Sequence, residues 1–422
     1  MKRVVKGIQI GLAVLLVGCA FSASAAERVT FTKDILPIFQ DHCQKCHRPS
    51  GTNVSGMVAP MSLMTYEQTR PWAKSILRGV QSKSMPPWYA SPQHHGVFEN
   101  ERTLTQDQID TIVKWVKTGL ARGNPKDSPP SVEWPDSGWT IGNGNPDLVV
   151  EFNEPFWVGD DVDDLYQNIQ VQLTKEQMPD AKWLKAIEFK PGSAVVHHII
   201  AYQVGRGGGG GMSAGMLGGE APGTNPTTWP DGYGARVPKE ALITFGMHYH
   251  KERGSGTGVW DSSSFAMEFH DKPVTHAVQI TPIAHGAFEI PPGNRSWRVG
   301  GAHTFRRDTT LMGYMPHLHL RGVACKYTAY YPDGTSEVLL DVPQYNFNWQ
   351  IFYQYKNETL IEVPAGTRVE FEMWYDNSSE RAAAIGFNSN RPVAFGGPTW
   401  DEMDLGWLNY ANTEPVDFDS TD

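Results

Sequence analysis

The chain has 422 residues, long enough for two or three domains. Its apolar fraction of 40% and charged fraction of 19% are those of a globular protein, and 42 Gly with 30 Pro suit a body of many strands and turns. A net charge of −10 argues against a basic nucleic-acid surface.

Lys2, Arg3 and Lys6 precede a short apolar run at residues 8–17, the layout of an export signal and too short to span a bilayer comfortably. Ala23-Ser24-Ala25 has the A-x-A form of a cleavage site, so residues 1–25 read as a signal peptide and the product as periplasmic. Leu16-Val17-Gly18-Cys19 has the form of a bacterial lipobox, and the alternative outcome is a lipid anchor on Cys19. No later stretch reads as transmembrane.

Residues 27–125 read as a small helical domain carrying haem. Cys43-x-x-Cys46-His47 is the attachment motif of c-type haem: two thioethers fix the porphyrin and His47 ligates iron. A zinc site would need a second ligand pair, and none lies nearby. Met85, followed by two prolines, is the expected sixth ligand. Met57, Met61 and Met64 are rivals, and His94 and His95 weaker candidates. Thr32 is placed to cap a helix over 34–40. Thr105 and Gln108 form a capping box ahead of Ile109, Ile112, Val113 and Val116 at helical spacing. Residues 126–140, rich in Pro, Gly and Ser, read as a linker.

From Asp147 onward the pattern alternates. Val369, Phe371, Met373 and Tyr375 share one strand face; Leu242, Thr244, Gly246, His248 and His250 share another. Turn signals between such runs predict two β-sandwiches, over 141–285 and 286–422. Residues 205–223 contain a glycine run that predicts a mobile loop, not a core strand. Three histidine clusters fall on the strands: His197-His198, His248-x-His250 and His317-x-His319. A single histidine is ordinarily a structural residue, but imidazoles grouped this way suit copper, zinc, iron or nickel. No carboxylates accompany them, which argues against calcium or magnesium. Adjacent His197 and His198 point to opposite faces of a regular strand, so joint ligation requires a bulge. His270, His276, His285 and His303 read as structural or surface residues.

Over residues 140–412 the order of these motifs resembles the copper type II, ascorbate-dependent monooxygenases, the family of peptidylglycine α-hydroxylating monooxygenase and dopamine β-monooxygenase. Bacterial relatives with an N-terminal cytochrome domain look closer still. "VVHHII" and "GMHYH" match the first copper motif, which implies His197, His198 and His248 as ligands, with His250 able to replace His248. "PHLHLRG" and "GGPTWDEM" match the second, which implies His317, His319 and Met403 around the copper that meets O2. Met312, Met315 and Met373 are rivals for the thioether. The family sets its two coppers across a solvent-filled gap between two sandwiches. Animal members are braced by disulfides, which this chain lacks the cysteines to form, and no peptide-amidating lyase domain follows.

The expected cofactors are one covalent haem c and two copper ions. The expected function is copper-dependent monooxygenation of a C–H bond in a small substrate with O2, electrons arriving through the haem from ascorbate or a redox protein. Two alternatives stand beside it. One is a dehydrogenase whose haem carries substrate electrons to an external acceptor; the other is a copper-binding electron carrier without a substrate.

Overall fold

The computed structural model describes residues 28–48, 59–134, 138–204, 215–221 and 226–415. The expected signal peptide, the Cys19 lipobox, Met57 and most of the glycine run lie outside the described residues.

Phe31, Ile35, Phe39, Ile76, Val80, Ile112 and Trp115 form the core of the helical domain. The first helix begins earlier than its expected cap. Thr32 is buried inside the opening turn Phe31–Ile35, and Thr30 is the N-cap. The Thr30 backbone N–H donates to Asp34 Oδ2 at 2.7 Å. Putting Phe31 and Ile35 into the core draws the start forward, and Asp34 rather than a threonine hydroxyl satisfies a terminal donor. The helix continues as Leu36–His42 into the haem motif. Helix Gln106–Lys117 starts at the expected reciprocal box between Thr105 and Gln108 and buries Ile109, Ile112 and Trp115.

The expected linker is only partly one. Trp139, just before its end, is buried with Ile141 against Ala186 and Ala266. The amides of Thr140 and Ile141 donate to the carboxylate of buried Glu188. Upstream, the Arg48 guanidinium lies 4.2 Å over the Trp134 ring.

The remainder is β-structure in three principal sheets. Sheet I contains Asp164–Gln172, Leu242–His250, Val196–Val204 and Met216–Glu220, in that order. The last strand corrects the expectation for residues 205–223: Met216–Glu220 pairs with Val196–Val204, and Leu217 is fully buried. Glycine is a poor strand former, but Gly218 packs against Ile187 and Phe189, where a Cβ would come within 2.9 Å of Ile187. Sheet II is the ten-stranded sheet. Sheet III contains Trp297–Thr304, Arg368–Tyr375, Gly322–Tyr330 and Ser336–Val342. Sheet I packs on one half of sheet II and sheet III on the other, as two hydrophobic cores.

The two sandwiches are not separate beads. Strand His276–Ile283, expected in the first, pairs along most of its length with Leu405–Asn412 and only at one end with Tyr233–Val237. Alternation decides what the halves show each other. Ile243, Phe245, Met247 and Tyr249 point into the first core. That leaves His248, Gly246 and Thr244 on the opposite face, where Gly246 lines a cavity with Met315, Leu405 and Trp407 of the second half.

Haem crevice and histidine cluster

Cys43, Cys46, His47, Met61 and Met85 line one crevice, together with Leu63, Ile76 and Val80. Residues 43–47 follow the first helix as tight turns: the Cys46 and His47 amides both donate to the Cys43 carbonyl, at 3.1 and 2.8 Å. His47 Nδ1 donates to the Met61 carbonyl at 3.2 Å, which leaves Nε2 for iron. Burial lowers the His47 pKa, keeping the imidazole in its ligating neutral form. Burial pushes the Cys43 thiol up to about 12, and neither cysteine of the motif forms a disulfide. An apolar crevice with two free thiols and an oriented imidazole fits haem c. Arg102, also in the wall, offers positive charge suited to a propionate.

Of the sixth-ligand candidates, the crevice includes Met85 and Met61 but not Met64. His94 is turned away: it is buried and its Nε2 accepts from the Asp341 amide at 3.0 Å. His95 pairs with Glu101 at 2.6 Å. These contacts belong to an interface. Between residues 88 and 101 the helical domain adds to the second sandwich, with Ser91 N–H donating to Asp341 O, Glu99 N–H to Gln354 O and Phe98 buried in the core. The haem domain is therefore packed onto the β-body, not held by its linker alone.

The histidines assemble from three strands, with His319 just beyond the end of the third. His198 and His248 are direct cross-strand partners, and the register slips between Val196 and His198. A bulge here is what joint ligation by adjacent histidines would require, and it turns His197 to the side of its neighbour. His198 Nδ1 lies 3.4 Å from Nδ1 of both His197 and His248. The ligand atoms of all three lie within 4.8 Å of one another. His250, the rival, is exposed and stands outside this group, 3.5 Å from Asp164 Oδ1.

Asp164 was not singled out in the sequence. Its Oδ1 accepts from His248 Nε2 at 2.5 Å, and its Oδ2 accepts from the Thr399 amide at 2.8 Å. Burial pushes this carboxyl up, but the bonds from His248 and His250 outweigh it and hold it well below the usual carboxylate range. Asp164 thus fixes the His248 ring and ties sheet I to the loop that carries Met403. Tyr166, two residues on, stacks on His248 at 4.1 Å. Asp164 and Tyr166 lie in an alternating polar strand that reads as an ordinary solvated edge, which is why they carried no signal.

His317 ends the strand Thr309–His317 opposite Leu405. Continuing that antiparallel register puts His319 opposite Met403. Two buried side chains cement the turn. Glu402 accepts from the amides of His319 at 2.9 Å and Arg321 at 2.7 Å. Arg321, also fully buried, donates to Asn377 Oδ1, the Trp400 carbonyl and the Asn388 carbonyl. Burial pushes Glu402 up to about 8, against the pull of those amides and Arg321. The Arg of "PHLHLRG" and the Glu of "DEM" are thus mortar that brings His319 and Met403 together. Gln350 Oε1 accepts from His317 Nδ1 at 2.6 Å, and the Asp401 carbonyl lies 3.3 Å from His319 Nδ1.

Burial lowers the pKa of every imidazole in the cluster, that of His317 to about 4, which favours the neutral form of all five. His197 Nε2 and His319 Nε2 are buried with no hydrogen-bond partner. Each such atom costs roughly 1–3 kcal/mol of desolvation, a cost that metal ligation removes. Neutral imidazoles beside thioether sulfur suit copper better than any hard cation.

A cavity of about 220 Å³ opens between the sheets, lined by His198 and His317, by Met315 and Met403, and by Glu220 and Trp407 among others. Met315 stays beside Met403 as a second thioether, whereas Met312 and Met373 are buried in the two cores. The gap implied by the resemblance is not open throughout. His198 and His317 ring centroids are 5.6 Å apart, and Phe347 stacks on His197 at 4.7 Å while lying 6.0 Å from His319. At this end the two sets touch, because Asp164, Thr399 and Phe347 draw the halves together.

Among the described residues no helix is long and apolar enough to cross a membrane. No curated protein matches the chain. Solved structures that match include viral shell proteins, at low similarity. The empty particle of cowpea mosaic virus matches at 7% identity and a TM-score of 0.31, covering 64% of this chain and 91% of that one. The major capsid protein P2 of bacteriophage PM2 matches at 9% and 0.27, covering 64% and 98%. Residues 37–119 match the cytochrome c family, and with the crevice around Cys43, Cys46 and His47 this makes the N-terminal unit a cytochrome c domain carrying haem c for electron transfer.

Proposed function

We propose that this protein is an exported haem–copper oxidoreductase, a monooxygenase that hydroxylates a small substrate with O2 and draws its electrons through the cytochrome domain. The observation that carries the reading is the meeting of two histidine sets around one cavity, with a thioether in its wall and a cytochrome c domain packed against the same body.

Copper held by these imidazoles would supply one-electron chemistry with O2. The protein's own groups prepare for it. Asp164 takes Nε2–H of His248 and leaves Nδ1 to the metal. Gln350 and the Asp401 carbonyl take Nδ1–H of His317 and His319, leaving both Nε2 atoms as ligands. Fixing each tautomer through the far nitrogen is how proteins orient histidine ligands. Met403 adds a soft donor that favours the cuprous state. The cavity receives the substrate against His317 and Met403, and Ile200, Leu405 and Trp407 give it apolar walls.

The test is metal analysis of the mature protein followed by turnover under ¹⁸O2. Two coppers and one haem per chain, with one ¹⁸O in the product, support the reading. Oxidised product without ¹⁸O would replace it with a dehydrogenase whose haem exports electrons. Zinc with full activity would end the copper assignment.

A further inference from the structure

One stretch of chain touches every part of this redox system. Residues 343–352 join strands Ser336–Val342 and Tyr353–Gln354. Trp349 lines the haem crevice together with Met85 and Pro87. The next residue, Gln350, is fully buried and holds His317 through its 2.6 Å hydrogen bond. Phe347, earlier in the same loop, is the ring stacked on His197. The loop's first half is tied to both the second histidine set and the helical domain. Tyr345 Oη donates to the Leu318 carbonyl at 2.9 Å, between the two histidines of the second set. Asn346 Nδ2 donates to Tyr89 Oη of the helical domain at 3.2 Å.

We propose that Trp349, Gln350 and His317 form the electron path between the haem and the second histidine set, an assignment that rests on the copper reading above. One electron passes from ferrous haem iron to a cupric ion at His317, leaving ferric haem and a cuprous ion; no proton need cross. Two such passages supply the two electrons that a hydroxylation consumes. The physical reason is the kind of contact along the route. Electronic coupling decays less through covalent bonds and short hydrogen bonds than across van der Waals gaps. Here an indole in the haem crevice continues through one peptide unit into a side chain hydrogen-bonded to a ligand imidazole. A neighbouring aromatic set, Trp88, Phe98, Tyr353 and Tyr355, is closely packed but leads into the core of the second sandwich instead of to the histidines.

The test uses the full-length protein loaded with haem and copper. A laser flash in the presence of a photoreductant reduces the haem, and its reoxidation by cupric ion is followed by absorbance. Trp349→Leu should slow this phase about tenfold or more, equivalent to ~1.4 kcal/mol in activation free energy. Trp349→Phe, which keeps a ring in place, should recover part of the rate. Gln350→Leu should slow it too and change the electron-spin spectrum of the second copper, since it frees the His317 ring. Trp88→Leu disturbs the same domain contact and should leave the rate unchanged. Copper content, haem spectrum and haem potential are measured for each variant, so that a lost metal or a shifted driving force is separated from a broken path. A wild-type rate in Trp349→Leu, or equal slowing by Trp88→Leu, overturns the path and leaves the copper reading standing. A wild type that takes up no copper overturns both.

Discussion

The two histidine sets face each other across a few ångströms, yet they are built by opposite means. His198 and His248 are held by the ladder of sheet I, with one bulge bringing His197 beside them and one carboxylate, Asp164, behind. His317 and His319 stand where pairing ends, at a turn that exists because buried Arg321 and Glu402 bond the chain on either side. A site on a regular ladder inherits its geometry from many backbone hydrogen bonds. A site at a strand end depends on a few buried polar groups, each of which is costly to leave unsatisfied. The second arrangement is more fragile, and it is also the one that accommodates a mixed set of imidazole and thioether.

The contrast can be broken most forcefully at Glu402. Glu402→Ala leaves the buried amides of His319 and Arg321 without their acceptor, which should cost roughly 1–3 kcal/mol of stability for each. Denaturant unfolding measures that loss, and metal analysis should show the second copper gone with the first retained. A variant of unchanged stability would mean that the clamp is not what supports the second set.

Next in size is removal of a ligand from each set. His198→Ala should lose one copper and His317→Ala the other, the remaining site staying filled in each case. With the two rings only 5.6 Å apart, loss of both metals from either variant would show that the sets act as one cluster instead of two sites.

Asp164→Asn is milder. The fold should survive, because sheet I does not depend on this carboxylate, but first-site affinity should fall by roughly 10–100-fold, as for other groups that orient a ligand from behind. Competition with a chelator of known affinity measures it, and wild-type affinity would remove Asp164 from the site.

The smallest effect on binding is expected at the thioether. Met403→Ile should keep most of its cupric ion and lose turnover, because sulfur stabilises the cuprous state far more than the cupric. Met315→Ile, beside it in the cavity, should keep more activity. The reverse order would assign the thioether to Met315.

How much of this was legible in the sequence follows from the range of the forces involved. The haem motif needs five consecutive residues, the box before Gln106 needs four, and the period of two on Leu242–His250 is local sterics; all three could be read directly and the structure contains them. The bulge at His197 was legible as a requirement, because two adjacent ligands cannot share a face without one. The strand Met216–Glu220 was not, since its glycines look like a loop until Ile187 and Phe189 are there to pack against. Nor were the supporting groups. Asp164 lies 84 residues before His248, and Gln350 lies 33 after His317. Polar residues of these types are common on any surface, and nothing local distinguishes those that end up buried. The same holds for the docking of residues 88–101 and for Trp349. Which solvated side chains lose their water, and which histidines lose their distance, is decided by how the sheets and the haem domain pack, a sum of many long-range contacts that no short window of sequence contains.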